Sequence, residues 1–155
     1  SMAVRCENKK IKYFSDEIFK DYIQAGFTPV TFGDIVVDEK LGFCICSGDA
    51  LMLELAKKFE SEKAIFVMDV DGFYSNFQTA DAKLLPELST KTFDTVIKQT
   101  VPSKIPDVTG SALEKMRISL ELARYTKTIV INGMVKNRLR AAIEGKSVIG
   151  TEVRL

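Results

Sequence analysis

The chain has 155 residues, 46% of them hydrophobic, with 22 basic against 21 acidic side chains and no histidine. That length and apolar content suit a single domain with a real core and exclude a disordered chain, while the near-balance of charge gives no pull toward nucleic acid or a membrane surface. The longest apolar runs fall short of a bilayer span, and the polar start at Arg5, Glu7, Lys9 and Lys10 lacks a secretory pattern.

In chain order, residues 15–25 are predicted as a helix. Ser15 stands at its cap, Asp16 and Glu17 in its first turn, Ile18, Phe19, Tyr22 and Ile23 along its apolar face, and Gly26 past its end. Tyr13, Phe14, Phe19 and Tyr22 read as core rather than as a base-stacking platform. Strands are expected over 28–32 and 35–38, with Gly33-Asp34 as the bend between them. Leu41-Gly42 then turns the chain into a strand over 43–46, which makes a hairpin of residues 35–46.

The period changes next. Leu51, Leu53, Leu55, Ala56 and Phe59 keep helical spacing behind Asp49. The run Ala64-Ile65-Phe66-Val67-Met68 reads as a strand buried on both faces. Residues 75–90 read as loop with a short strand at Leu84-Leu85, and 92–99 as a helix. Pro102 and Pro106 frame a connection to Asp107. A helix over 111–124 carries the stripe Leu113, Met116, Leu120 and Ala123. A strand over 128–131, a helix over 136–143 ended by Gly145 and a strand over 148–153 complete the chain. Lys136, Arg138 and Arg140 read as a solvated helix face.

Strands alternating with helices predict an α/β fold with a mainly parallel sheet, helices on both faces and one antiparallel hairpin. In such sheets ligands bind where strands finish and helices begin. Four corners fall there: Ser47-Gly48-Asp49, Asp69-Val70-Asp71-Gly72, Thr109-Gly110-Ser111 and Asn132-Gly133.

Each corner has a plain reading beside the functional one. Ser47 and Asp49 suit a helix start, and Gly48 a sharp turn, with no ligand at all. A functional Asp49 would instead orient a lysine or a metal, with Gly48 letting a phosphate approach backbone. Asp69, Asp71 and Gly72 make an Asp-Gly turn, or a carboxylate pair beside Mg2+, an ion that takes one or two carboxylates and keeps its waters. Gly110 followed by Lys115 suits phosphate binding at a helix start; Glu114 offers the alternative of a solvated charged face. No G-x-x-x-x-G-K-[ST] occurs, so this is not a P-loop chain. The cysteines form no disulfide framework: Cys44 and Cys46 are two apart on one strand face and Cys6 is left over. Without histidine they do not make a zinc site. They read as small buried hydrophobes in a reducing cytoplasm, and no metal ligand is assigned.

At these residues the chain resembles the C-terminal half of the amino-acid kinase family, most closely its isopentenyl phosphate kinase branch. Gly26-Phe27-Thr28-Pro29-Val30 and Gly33-Asp34-Ile35-Val36 are similar to a G-x-x-P-V…G-D-V-V hairpin, and Ser47-Gly48-Asp49 to an S-G-D-D corner. Asp69-Val70-Asp71-Gly72-Phe73-Tyr74 resembles D-V-D-G-V-Y. Asp107-Val108-Thr109-Gly110 with Lys115 resembles D-V-T-G-G-x-x-x-K, and Asn132-Gly133 with Gly150-Thr151 the closing N-G…G-T. Ala50 and Ser111 depart from the pattern, standing where the family has an acidic residue and a second glycine.

The resemblance implies a three-layer α/β/α sandwich and phosphoryl transfer from ATP-Mg2+ to isopentenyl phosphate, giving the diphosphate used in isoprenoid synthesis. Asp69, Val70, Asp71, Gly72 and Tyr74 would line the nucleotide, Gly110 would back its phosphates, and Lys115 would neutralise them during transfer. Asp49 would hold lysines in place, and Ser47 and Gly48 would lie near the acceptor phosphate. Glutamate-, uridylate- and fosfomycin-type kinases of the same family, or a non-catalytic nucleotide-binding module, are the alternatives. The family's opening glycine-rich lysine segment has no counterpart here. The resemblance therefore implies one nucleotide-binding domain over 1–155, without the acceptor-binding N-terminal half and a poor catalyst alone. Self-association or a complementing N-terminal half is the expected partnership.

Overall fold

The computed structural model describes residues 3–76, 79–99 and 106–155, with 106–111 as helical backbone; Pro102 lies outside the described residues. The chain divides into two compact units, Ser1–Glu60 and Ser61–Leu155.

The first unit runs β1 (Val4–Glu7), β2 (Lys10–Phe14), α1 (Asp16–Gln24), β3 (Asp34–Asp38), β4 (Gly42–Cys46) and α2 (Gly48–Lys58). Its sheet has the order β2-β1-β3-β4, with β1 and β3 parallel and the two outer pairings antiparallel. Alternation along the strands sorts the faces. Val4, Cys6, Val36, Cys44 and Cys46 are buried together with Phe19 of α1 and Leu51 of α2, so both helices cover the same side. The opposite side carries the cross-strand pairs Ile35–Ile45 and Val37–Phe43, all exposed.

The β1–β2 hairpin was not expected from the sequence. Its two-residue turn, Asn8-Lys9, has positive φ at both positions (49° and 65°), the geometry that matches hairpin twist. Residues 28–33 form no strand, despite their β-branched and aromatic composition. Pro29 has no N–H to give to a ladder, and Val30 and Phe32 stand in solvent. Of the four aromatics expected in the core, Phe14 and Phe19 are buried and stacked with centroids 5.2 Å apart; Tyr13 and Tyr22 are exposed.

The second unit runs β5 (Lys63–Met68), β6 (Tyr74–Ser75), β7 (Lys83–Leu84), β8 (Glu87–Leu88), α3 (Thr90–Gln99), α4 (Pro106–Leu122), β9 (Lys127–Asn132), α5 (Arg138–Ile143) and β10 (Gly150–Val153). Its sheet has the order β5-β9-β10-β8, while β6 and β7 make a small antiparallel ribbon. β5 and β9 are parallel, β9 and β10 antiparallel, β10 and β8 parallel. Val130 and Ile131 of the interior strand β9 are fully buried, as are Leu88 and Leu122.

The fold is therefore α/β, with mixed rather than mainly parallel sheets. β5 is not buried on both faces, since Val67 is exposed. The long helix starts at Pro106 instead of Ser111: proline suits the first helical position, where its missing N–H costs nothing. Gly110 thus lies within the helical backbone and does not open it.

Candidate functional site

Parallel pairing of β5 with β9 matches Met68 to Asn132, so both strands leave the sheet at the same end. The antiparallel β10 begins there, with Gly150 opposite Ile131. Two of the four sequence corners, Asp69–Gly72 and Asn132-Gly133, are thereby brought to one place with Gly150-Thr151 of the closing motif. Backbone and side chains then lock them. The Gly133 N–H donates to the Met68 carbonyl at 2.8 Å. Thr151 is fully buried; its Oγ1 accepts from the Phe73 N–H at 2.9 Å and donates to the Leu85 carbonyl at 2.6 Å. Gly72 is a packing glycine: a Cβ there would collide with Thr151 Oγ1 and lie 3.0 Å from the Thr151 nitrogen.

Asp71 is the electrostatic centre of this corner. Its Oδ1 accepts from Arg138 Nη1 and, at 3.2 Å, from Asn132 Nδ2. Asn132 is itself oriented by the Met134 N–H, which donates to its Oδ1 at 2.9 Å. The Arg138 guanidinium and then the Asn132 amide hold the Asp71 carboxyl below its ordinary value, against a smaller opposing effect of burial. The Arg138 side chain is only 11% exposed, which corrects its reading as part of a solvated helix face. Asn137, in the left-handed region at φ 64°, sets the turn from which Arg138 enters α5. No periodicity in the sequence marks that residue; its sole signal is a basic side chain just after the Asn132-Gly133 corner.

The remaining candidates are distributed as follows. Asp69 is exposed at the end of β5 and Val70 is half-buried. Tyr74 pairs with Leu84 in the β6–β7 ribbon. Lys115 lies on α4 with its Nζ 5.2 Å from the centroid of Phe66, a buried residue of β5 three positions before Asp69; a cation over an aromatic face is a favourable placement. In the first unit, Ser47 caps α2 by accepting from the Ala50 N–H at 3.1 Å, and Gly48 and Asp49 form the first turn. The Gly33-Asp34 bend packs against this corner so closely that a Cβ on Gly33 would lie 2.9 Å from both the Cys46 carbonyl oxygen and the Gly48 nitrogen. Ala50 packs against the first unit's core, an apolar use of the position where the motif carries a second acid.

Among the described residues no group of three or more histidine, cysteine or acidic side chains is arranged to hold a metal. The three cysteines are free and buried, and burial pushes the Cys44 thiol up to about 11. They behave as the small hydrophobes their spacing predicts.

The family model described as the amino acid kinase family matches residues 2–132. Isopentenyl phosphate kinase of Thermoplasma acidophilum is 36% identical over 138 residues, covering 86% of this chain and 53% of that protein. The enzyme of the same name from Methanothermobacter thermautotrophicus is 29% identical over 158 residues, covering 99% of this chain and 58% of that one. Among solved structures, one of isopentenyl phosphate kinase superposes with a TM-score of 0.80 at 26% identity, covering 99% of this chain and 56% of its own. The chain spans about half the length of the curated relatives it matches. It belongs to the amino acid kinase family.

Proposed function

We propose that this chain is the nucleotide-binding half of a small-molecule kinase that transfers the γ-phosphoryl group of ATP to isopentenyl phosphate, releasing ADP and isopentenyl diphosphate. The observation that carries the reading is the convergence of Asp69–Gly72, Asn132-Gly133 and Gly150-Thr151 at one end of β5 and β9. That is the end of an α/β sheet where ligands are bound. The likeness to isopentenyl phosphate kinases over most of this chain supports the acceptor.

In this reading Asp69, Val70 and Tyr74 face the nucleotide, and Gly110 leaves room for its phosphates. Lys115 neutralises charge that builds on the transferring group. Phosphoryl transfer depends chiefly on such positioning and charge neutralisation. Asp49 orients lysines, and the Ser47-Gly48 corner contributes to the acceptor phosphate. Mg2+ bound with the nucleotide would supply charge shielding to its phosphate oxygens. The exposed Asp69 is the carboxylate of this corner open to that ion, which takes few carboxylates alongside phosphate oxygens and water. The reduced, buried cysteines support a cytoplasmic setting.

Calorimetric titration of the 155-residue chain with Mg-AMP-PNP tests the nucleotide half of the proposal, with saturable one-to-one binding expected. The catalytic half is tested by adding the N-terminal half of an isopentenyl phosphate kinase and following diphosphate formation. Transfer should need both pieces. Absence of nucleotide binding would sink the proposal, and full turnover by this chain alone would sink the division of labour. The alanine at position 50 favours one second reading, a nucleotide-binding module without transfer, in which binding survives and complementation yields no product.

A further inference from the structure

Three residues bear on Asp71 from different directions. Arg138 and Asn132 reach the same carboxylate oxygen, and the next residue, Gly72, is pressed against Thr151. Arg138 is largely buried while Asp71 keeps about a third of its side chain exposed. Asp69, two positions earlier, is exposed. The two carboxylates of the D-V-D-G corner therefore stand in unlike surroundings, one bound into the protein and one open to solvent. The guanidinium beside Asp71 offsets that carboxylate's charge and ties its Oδ1 by a strong, oriented contact, so a cation is drawn to Asp69 in preference, although neither donor takes Asp71 Oδ2.

We propose that Arg138 is a positioning residue for nucleotide binding: with Asn132 it holds Asp71 against the end of β9, which fixes the loop so that Asp69 alone meets the metal–nucleotide. Asp71 and Gly72 form a latch and touch no phosphate. This rests on the nucleotide reading above, and it divides the corner into a ligand-facing part and a fastened part. Loosening the latch leaves every ligand-facing group in the chain but lets the loop wander, and misplacement of positioning groups weakens ligand affinity without removing a contact.

The test is titration of Mg-AMP-PNP, and of AMP-PNP with Mg2+ removed, into wild type, Arg138→Met, Arg138→Lys, Asp71→Asn and Asp69→Asn, with Lys136→Met as a surface control. Arg138→Met and Asp71→Asn should each weaken Mg-AMP-PNP by about tenfold, and the double variant by scarcely more, as expected for residues acting through one contact. Arg138→Lys should recover part of the loss. The shared loss in the double variant and the partial recovery in Arg138→Lys separate positioning from mere packing, and the benefit from Mg2+ separates a fastened Asp71 from a metal-binding one: Asp71→Asn should keep it and Asp69→Asn should lose it. Unchanged affinity in Arg138→Met would overturn the proposal. So would loss of the Mg2+ benefit in Asp71→Asn, which remains informative if Arg138→Met fails to fold. Failure of the wild type to bind nucleotide would overturn the nucleotide reading and this inference together, an outcome distinct from wild-type binding with indifferent variants.

Discussion

Asp38 in the first unit and Asp71 in the second are both held carboxylates, and they are held in opposite ways. Asp38 is 1% exposed and accepts four backbone N–H groups: Asn8 and Lys9 from the β1–β2 turn at 3.1 and 2.7 Å, Lys40 and Leu41 from the β3–β4 turn at 2.9 and 3.0 Å. Burial pushes its carboxyl up, but the four amides together outweigh that and hold it well below the ordinary range. Asp71 instead takes two side-chain donors and stays partly in solvent. Backbone amides cannot leave; a guanidinium and a carboxamide can. One carboxylate is architecture, tying two hairpins into one sheet, and the other is an adjustable fastening beside a candidate binding corner.

The largest expected effect comes from breaking the architectural member. Asp38→Ala takes the shared acceptor from four N–H groups at once in part-buried bonds, and each hydrogen bond to a charged group is worth about 1.5–3 kcal/mol. A thermal midpoint lower by about 10 °C or more is expected in calorimetry of the whole chain. Next comes the neighbour of the fastening: Thr151→Val removes the acceptor for Phe73 N–H and the donor to Leu85, and should cost about 2 kcal/mol in urea unfolding. Thr151→Ser should return most of it.

A smaller effect sharpens the contrast through pH. Both carboxyls ionise more readily folded than unfolded, so the stability they add is complete above the unfolded value of about 3.9. It is lost as pH falls toward their folded values, because the unfolded chain takes up protons first. Wild type minus Asp38→Asn stability should thus be flat from pH 7 to 5 and shrink on further acidification. Asp38 should keep its advantage to lower pH than Asp71. Smallest of all is the exposed Lys12, paired with Glu7 at 3.3 Å and Glu39 at 2.6 Å; Lys12→Met should leave the thermal midpoint nearly unchanged, since solvent screens such pairs.

What the sequence made legible follows the same division. The continuous apolar runs of β5 and β9 and the capped, periodic α2 announce themselves, because burial and capping are written in the residues that form them. The first hairpin does not, since its turn is fixed by Asp38, about thirty positions away in the chain. Residues 28–32 have strand composition without a partner. Pro106 reads as part of a connection because Thr109-Gly110-Ser111 has the composition of a corner, yet it opens α4, as proline commonly does at a helix start. The sequence offers four corners, and pairing of β5, β9 and β10 unites two of them, Asp69–Gly72 and Asn132-Gly133, with Gly150-Thr151. Arg138 was hidden in a basic cluster: its value comes from a contact across the fold, which no local pattern records.

The central claim, that the end of β5 and β9 grips a nucleotide, is tested most directly by amide hydrogen exchange of the 155-residue chain with and without Mg-AMP-PNP. Slowed exchange over residues 69–74 and 132–138, with the outer hairpin β3–β4 unchanged, is the predicted footprint. Protection confined to β3–β4, or no protection at 69–74 under saturating nucleotide, would contradict it.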